Sequence, residues 1–272
     1  MPTILVINLA HSPERLTTSQ QQLAKYGLSF ERIDAIDGAI LTPAQLNRHY
    51  SAVLNKQNYH YSLSLGQIGC YLSHRKAWQT IVERQLDYAI VLEDDFILDT
   101  DLNNTIKNIE QLPFDWQMIK LSAYQNRTRP VAYQVPLQHE QQLVIHKKLM
   151  TGCCATAISY QGAKQLLAAT DTFGRPVDCD LQHIWETQVA GYSLLPYPFA
   201  QNCEQVSDIK SRSAVRVKKS FLTRKGQQLS SAVKNKFATV DFVKRTKRAL
   251  SISNSDYKKG AAAPFINNVL KQ

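Results

Sequence analysis

Residues 88–97 read YAIVLEDDFI. Four apolar residues run into Glu93, Asp94 and Asp95, and apolar residues then resume. Three adjacent carboxylates repel one another, and desolvating even one unpaired carboxylate is costly. Something positive must sit beside them. A divalent cation is the simplest neutraliser, because hard cations take carboxylate oxygens. Mg²⁺ and Mn²⁺ use one or two protein carboxylates and complete their shell with water and substrate phosphates. The cluster therefore suits a metal–diphosphate site better than a closed structural metal site. The bland alternative is that the acids cap the next element and face solvent.

Other chemistries lack their signatures. The chain has no GxGxxG and no GxxxxGK[ST], so dinucleotide and P-loop readings lose their main support. It has no HExxH, and its seven histidines form no close ligand pair, which argues against zinc hydrolysis. The five cysteines (Cys70, Cys153, Cys154, Cys179 and Cys203) form no CxxC pair. They read as buried, reduced thiols of a cytosolic protein. The start, MPTILVINLA, is apolar but brief and reads as a first strand, not a signal peptide. No apolar run approaches bilayer-spanning length.

The elements that must present the acids can be sketched. ILVINL (4–9) reads as strand one, and a helix follows from Ser12 or Pro13 to a stop at Gly27. SFERIDAIDG reads as strand two, closing at Asp37–Gly38. Residues 39–65 carry no clear pattern. Residues 66–84 read as a helix, 88–92 as a buried strand and 115–123 as another; the region to Met150 is loop-rich with some strand potential. Residues 155–159 predict a strand, 160–170 a helix, and 176–191 a further helix stopped by Gly191, before a last strand, YSLLPYPFAQ. The βαβ opening suggests a doubly wound α/β domain with a mostly parallel sheet. In such sheets ligands bind beyond the carboxyl ends of the strands, where YAIVL delivers its acids.

Four segments resemble glycosyltransferase family 25, the bacterial lipooligosaccharide transferases with collagen-modifying animal relatives. They are VINLAHSPER (6–15), FERIDAIDG (30–38), LSLGQIGCYLSHRKAW with YAIVLEDD (63–95), and TGCCATAISYQGAKQLL with PVDCDL (151–181). The resemblance covers residues 1 to about 210. It implies a GT-A type fold, a UDP-sugar donor and transfer with inversion. A D-x-D-like motif would hold Mn²⁺ or Mg²⁺ against the donor diphosphate; here it is spelled Glu93–Asp94–Asp95. On this reading Asp95 is the direct metal ligand, with Glu93 or Asp94 on ribose or metal-bound water. Asn8 and Leu9 would lie at the nucleoside, Arg15 at the diphosphate, and Asp34, Ala35, Asp37 and Gly38 at uracil or ribose. Gly66 and Gly69 would allow close backbone approach, and Ser73 and His74 would face the donor pocket. Inverting transfer needs a base at the acceptor hydroxyl. Asp178 is preferred and Asp180 held in reserve, although Asp is also a common helix cap. Gln201, Asn202 or Asp208 would complete the metal shell, where many GT-A enzymes use a His. The expected donor sugar is galactose, then glucose, and the expected acceptor is a lipid-linked lipooligosaccharide glycan.

The net charge of +10 sits in one place. Residues 210–250 hold thirteen Lys or Arg and one acid, giving +12, and the rest of the chain carries −2. Residues 1–209 are therefore expected to form the catalytic domain and 210–272 a basic, largely helical extension. In the latter, Leu222, Leu229, Val233, Phe237, Val240, Val243 and Leu250 recur at helical spacing, with a break near Gly226. This amphipathic stretch suits an anionic membrane surface, packing on the catalytic domain, or nucleic acid, for which no motif is present. Peripheral placement on the cytoplasmic face of the bacterial inner membrane follows from the first option. The rival to an enzyme is a non-enzymatic α/β protein binding membrane or nucleic acid through this tail.

Overall fold

The computed structural model describes residues 1–98, 100–124, 129–202 and 221–257. Its centre is an eight-stranded sheet in the order β2-β1-β3-β8-β5-β9-β7-β6. The strands are β1 Thr3–Asn8, β2 Glu31–Asp34, β3 Tyr88–Glu93, β5 Met118–Lys120, β6 Val131–Pro136, β7 Gln142–His146, β8 Ala155–Ser159 and β9 Gly191–Leu195. β1 pairs parallel with β2 and β3, and β5 with β9. Only β8 and β7 run against the other six. The mostly parallel α/β sheet expected from the sequence is thus present, with two reversed strands let in. A small second sheet pairs β4 Phe96–Leu98 with β10 Phe199–Gln201.

Alternation along the central strands fills both faces, because successive side chains point to opposite sides. Ile4, Val6, Ile90 and Leu92 enter one core; Leu5, Ile7, Ala89 and Val91 enter the other. Helix α1 (Pro13–Ala24) begins on Pro13 and ends before Gly27, whose φ of +68° takes the left-handed turn that glycine permits. Helix α4 (Leu65–Glu83) starts in a Ser64–Gln67 capping box and buries Tyr71, Trp78 and Ile81. Each such large side chain contributes roughly 2 kcal/mol by burial.

Several expectations change. The patternless region holds helices α2 (Pro43–His49) and α3 (Ala52–Asn58), both side-chain capped, and α5 (Leu102–Glu110) follows β4. Strand two ends at Asp34, so Asp37 and Gly38 lie beyond it in a 3₁₀ turn. Residues 160–169 form α6 as expected. The helix expected over 176–191 is instead two short turns, α7 (Val177–Asp180) and α8 (Ile184–Thr187). Gln188 closes α8 in the left-handed region, and Gly191 opens β9 where it was expected to stop a helix. The last predicted strand splits between the two sheets after the cis Leu195–Pro196 bond.

The C-terminal helix, α9 (Phe221–Tyr257), runs through Gly226 without the expected break. Its packing face is Asn235, Thr239, Phe242 and Thr246. Phe242 lies against Tyr192, and Thr246 Oγ1 sits 2.8 Å from the Tyr192 hydroxyl. Lys234 stacks over Trp185, and Ser231 faces His183. The boundary expected at residues 209 and 210 falls outside the described residues, as do Asp208 and Cys203. No helix among the described residues is long and apolar enough to cross a membrane.

Candidate active site

The acids stand at the carboxyl end of β3, beside that of β1, in the turn leading into β4. The backbone N–H of Glu93 donates to Cys154, and that of Asn202 donates to the Asp95 carbonyl, so the turn is held between β8 and β10. Each carboxylate has a different environment.

Asp94 points inward and is buried. Arg15 Nη2 lies 2.6 Å from its Oδ1, and Asn8 Nδ2 donates to its Oδ2 at 2.6 Å. Asn8 also donates to the Ser12 carbonyl and accepts from Arg32 Nε, so it ties the ends of β1, α1 and β2 to the acidic turn. Asp94 is thus fixed from both sides by Arg15 and Asn8, a structural duty that the sequence did not suggest. Arg15, expected at a diphosphate, is the cation that makes Asp94 tolerable below the surface. Charge-assisted bonds of this kind are about twice as strong as neutral ones.

Glu93 sits 2.9 Å from His74 Nε2, with the Cys70 thiol at 3.8 Å. Burial alone would raise its pKa, but the His74 hydrogen bond and charge, with Lys120 and Arg15, more than offset this and leave it below the ordinary range. Cys70, His74 and Glu93 form one cluster of metal-ligating atoms. The Cys70 thiol is held well above its ordinary pKa by burial, then by Glu93, Cys153, Asp178 and Asp95, so it is a poor ligand while protonated.

Asp95 is the carboxylate left wanting. Its Oδ2 accepts from Gln201 Nε2 at 2.8 Å and lies 3.7 Å from Arg15. Its Oδ1 is buried and has no hydrogen-bond partner among the described residues. Burial, then the charge of Glu93, pushes its pKa up to about 6, against the pull of Gln201 and Arg15. An orphaned, buried carboxylate oxygen is what a divalent cation would satisfy, so the residues fit such an ion. Gln201 serves Asp95 as a donor through its amide nitrogen; the expected role of third metal ligand is not the contact it makes.

Asp178 and Asp180 have opposite situations. Asp180 is buried, ion-paired to Arg175 Nε at 2.5 Å and bonded by the Tyr71 hydroxyl at 2.9 Å. Both its oxygens are engaged, which favours Asp178 over this reserve candidate as the base. Asp178 is half-buried, and its Oδ2 accepts from the Gly152 N–H at 3.1 Å. Asp178 and Glu93 act on the same neighbours: burial and both carboxylates raise the Tyr124 and Cys153 pKa values. After burial itself, Glu93, Asp178 and Asp95 all act on the Cys70 thiol, so the three carboxylates lie within electrostatic reach of one common neighbour.

The remaining candidates are scaffolding or lie aside. Ser73 donates to the Gly69 carbonyl and accepts from the Ile36 N–H, locking the segment after β2 to α4. Gly38 and Gly69 allow this contact: a Cβ on Gly38 would lie 1.9 Å from the Leu65 carbonyl oxygen, and one on Gly69 2.4 Å from that of Ile36. Each of the two glycines thus lets its own segment close onto the other's. Asp37 caps the 3₁₀ turn through Ala39 N–H, and Asp34 pairs with Arg32 at the surface. Ala35 N–H donates to the Asn8 carbonyl. Gly66 lies in the first turn of α4 and Leu9 just past β1, both half-buried. Sequence reasoning missed Lys120, which is buried, donates to the Gly152 carbonyl and lowers the Glu93 pKa. Its signal was a lone cation inside an apolar strand. A cavity of about 1220 Å³, lined by Asp87, Tyr88, Trp116, Ala190 and Phe242, opens at the other end of these strands, away from the acids.

The model of glycosyltransferase family 25 (LPS biosynthesis protein) matches residues 1–181. The chain belongs to glycosyltransferase family 25. The match contains Asn8, Arg15, His74, the acidic triplet and Asp178. Among curated relatives, procollagen galactosyltransferase 2 of Homo sapiens is 27% identical over 184 residues, covering 64% of this chain and 29% of its own length. Procollagen galactosyltransferase 1-B of Xenopus laevis is 29% identical over 184 residues, 64% of this chain and 30% of its own. A Bos taurus relative named probable inactive glycosyltransferase 25 family member 3 is 26% identical over 236 residues, 77% of this chain and 39% of its own. The chain thus spans less than half of each of these relatives.

Proposed function

We propose that this chain is an inverting, metal-dependent glycosyltransferase that moves a hexose from a UDP-sugar to a glycan acceptor. The observation that carries the reading is Asp95, a carboxylate with a buried, unpartnered oxygen, beside Glu93 in the acidic turn of a family 25 chain. Family membership alone does not establish activity, since one relative is named inactive. The names of the procollagen galactosyltransferases favour galactose, with glucose second. The family's description as LPS biosynthesis protein favours a lipooligosaccharide acceptor on a lipid carrier, reached from the cytoplasmic face of a membrane.

Asp95 and Glu93 would hold Mn²⁺ or Mg²⁺. When bound, the ion supplies Lewis-acid stabilisation of charge on the departing diphosphate. Arg15 and Asn8 hold Asp94 and through it the turn that aims Asp95. Gln201 fixes the Asp95 rotamer. Asp178 takes the proton from the acceptor hydroxyl as that oxygen bonds to the anomeric carbon. The bond from that carbon to the UDP oxygen breaks on the opposite face, inverting the configuration.

The test is donor binding and turnover by purified protein with UDP-galactose, UDP-glucose and UDP-N-acetylhexosamines in Mn²⁺, Mg²⁺ or EDTA. Metal-dependent turnover of one donor, lost in Asp95→Ala and Asp178→Asn, is expected. Absence of binding to every UDP-sugar, with or without metal, would overturn the proposal.

A further inference from the structure

Helix α9 is amphipathic in an inverted sense. The side it turns to the protein carries Asn235, Thr239, Phe242 and Thr246. The apolar residues of its middle turns face away: Val233 is 52% exposed, Phe237 71% and Val240 48%. At about 100° per residue these three share an arc of about 60°, nearly opposite the packing side. An apolar stripe at this spacing ordinarily marks the buried side of a helix. Here that side is already supplied by other residues, and the stripe has no partner within the described chain.

Its surroundings say what covers it. Lys236 flanks the stripe and Lys244 continues its line, with Arg248 alongside; all three are exposed, whereas Lys247 reaches back over the Tyr133 ring at 5.0 Å. Between residues 231 and 252 there are six basic residues and one acid, Asp241, and that acid is ion-paired with Arg245 at 2.9 Å. A second copy of the chain would bring the same cations face to face. Nucleic acid would use the cations and leave Phe237 in water. An anionic bilayer uses both, because acyl chains accept the stripe while lipid phosphates accept the lysines.

We propose that the outward side of α9 is a membrane-docking surface, with Val233, Phe237 and Val240 entering the acyl boundary of an anionic bilayer and Lys236, Lys244 and Arg248 at the headgroups. This rests on the reading of a membrane-borne acceptor and specifies the side presented. It also sets an orientation. The helix lies between bilayer and catalytic body, and its inner side rests on His183 and Trp185, which follow Asp178 closely in the chain.

The full-length chain would be sedimented with phosphatidylcholine vesicles, with and without phosphatidylglycerol. The wild type, Phe237→Ser and the Lys236→Gln/Lys244→Gln double variant would be compared, with circular dichroism as the folding control. Binding only to anionic vesicles is expected, weakened about tenfold by Phe237→Ser and reduced by salt and by the double variant. UDP-sugar turnover by Phe237→Ser in detergent-free buffer is expected to equal that of the wild type. No vesicle binding, or binding indifferent to Phe237→Ser, would overturn the proposal. So would a wild-type dimer in light scattering that Phe237→Ser dissociates, since a second copy would then cover the stripe. Vesicle results fail or succeed separately from metal-dependent turnover, so loss of this inference leaves the proposed activity standing.

Discussion

Replacing Asp95 by Asn should stabilise the metal-free protein while abolishing metal-dependent donor binding. Burial and the neighbouring Glu93 charge raise the Asp95 pKa from its ordinary 3.8 to about 6. The folded state therefore keeps a proton that the unfolded chain has already released. Stability falls as pH rises from about 4 to about 6, and the whole penalty is present at neutral pH. Each pH unit between the two values corresponds to about 1.4 kcal/mol, so the ceiling is about 3 kcal/mol. Relaxation around the site brings the expected gain to about 1–2 kcal/mol, because Asn still accepts from Gln201 and no longer repels Glu93. The assay is urea unfolding in EDTA at pH 7.5 and pH 4.5, followed by tryptophan fluorescence. Asp95→Asn should exceed the wild type at pH 7.5 and match it at pH 4.5, where the wild-type carboxyl is protonated. In the wild type, Mn²⁺ affinity should fall about tenfold per pH unit below 6 as protons compete for Asp95. An Asp95→Asn protein clearly less stable than the wild type at pH 7.5 in EDTA would refute the reasoning, because the carboxylate would then have stabilising partners.

Three other outcomes follow from the geometry. Asp180→Asn should cost about 2–4 kcal/mol in chemical unfolding, since it strips charge from the buried Arg175 pair, yet its folded fraction should still turn over donor, whereas Asp178→Asn should lose transfer at nearly unchanged stability. Gly69→Ala should lower the unfolding free energy by about 1–3 kcal/mol, because its Cβ would press on the Ile36 carbonyl; an unchanged unfolding curve would show that this contact is soft. His183 has its pKa lowered to about 4 by burial, then by Arg175, so it is neutral when folded. The unfolded chain takes up its proton below about 6.5, so stability is lost as pH falls through that window. The protection of α9 amides, as exchange corrected for the slower intrinsic rate at low pH, should fall at pH 5 relative to pH 7.5 and no longer do so in His183→Gln.

Those pairings explain what could be read from the sequence. β1, β3 and β8 announce themselves as short β-branched runs, and α4 by its caps and spacing, because local pattern and burial agree there. The same local signal put the three acids at a strand end. Their partners were not legible: Asn8 meets Asp94 across 86 residues, and Tyr71 meets Asp180 across 109. No local pattern encodes contacts at that separation, so Asp94 and Asp95 looked alike when one is fully satisfied and the other is not. Polar α5 hid because Thr105 and Asn108 share its buried side with Leu102 and Ile106. Gly191 read as a helix stop, yet it packs its bare Cα against Met118 and Leu149 at the start of β9. On α9 the apolar period was real, but it marked the side that faces outward.

The division between Asp94 and Asp95 has an evolutionary side. Adjacent residues of one motif carry separate duties: Asp94 closes the Arg15–Asn8 network, and Asp95 waits for chemistry. A lineage can therefore change Asp95 to Asn in a single codon change and keep its architecture, since Asn retains an acceptor for Gln201 and the other oxygen has no partner to lose. The reverse change, at Asp94, takes from the half-buried Arg15 its closest carboxylate and loosens the network at the ends of β1 and α1. Descendants that retain the first Asp of the pair but not the second would persist as folded, catalytically silent proteins, free to be recruited for binding alone.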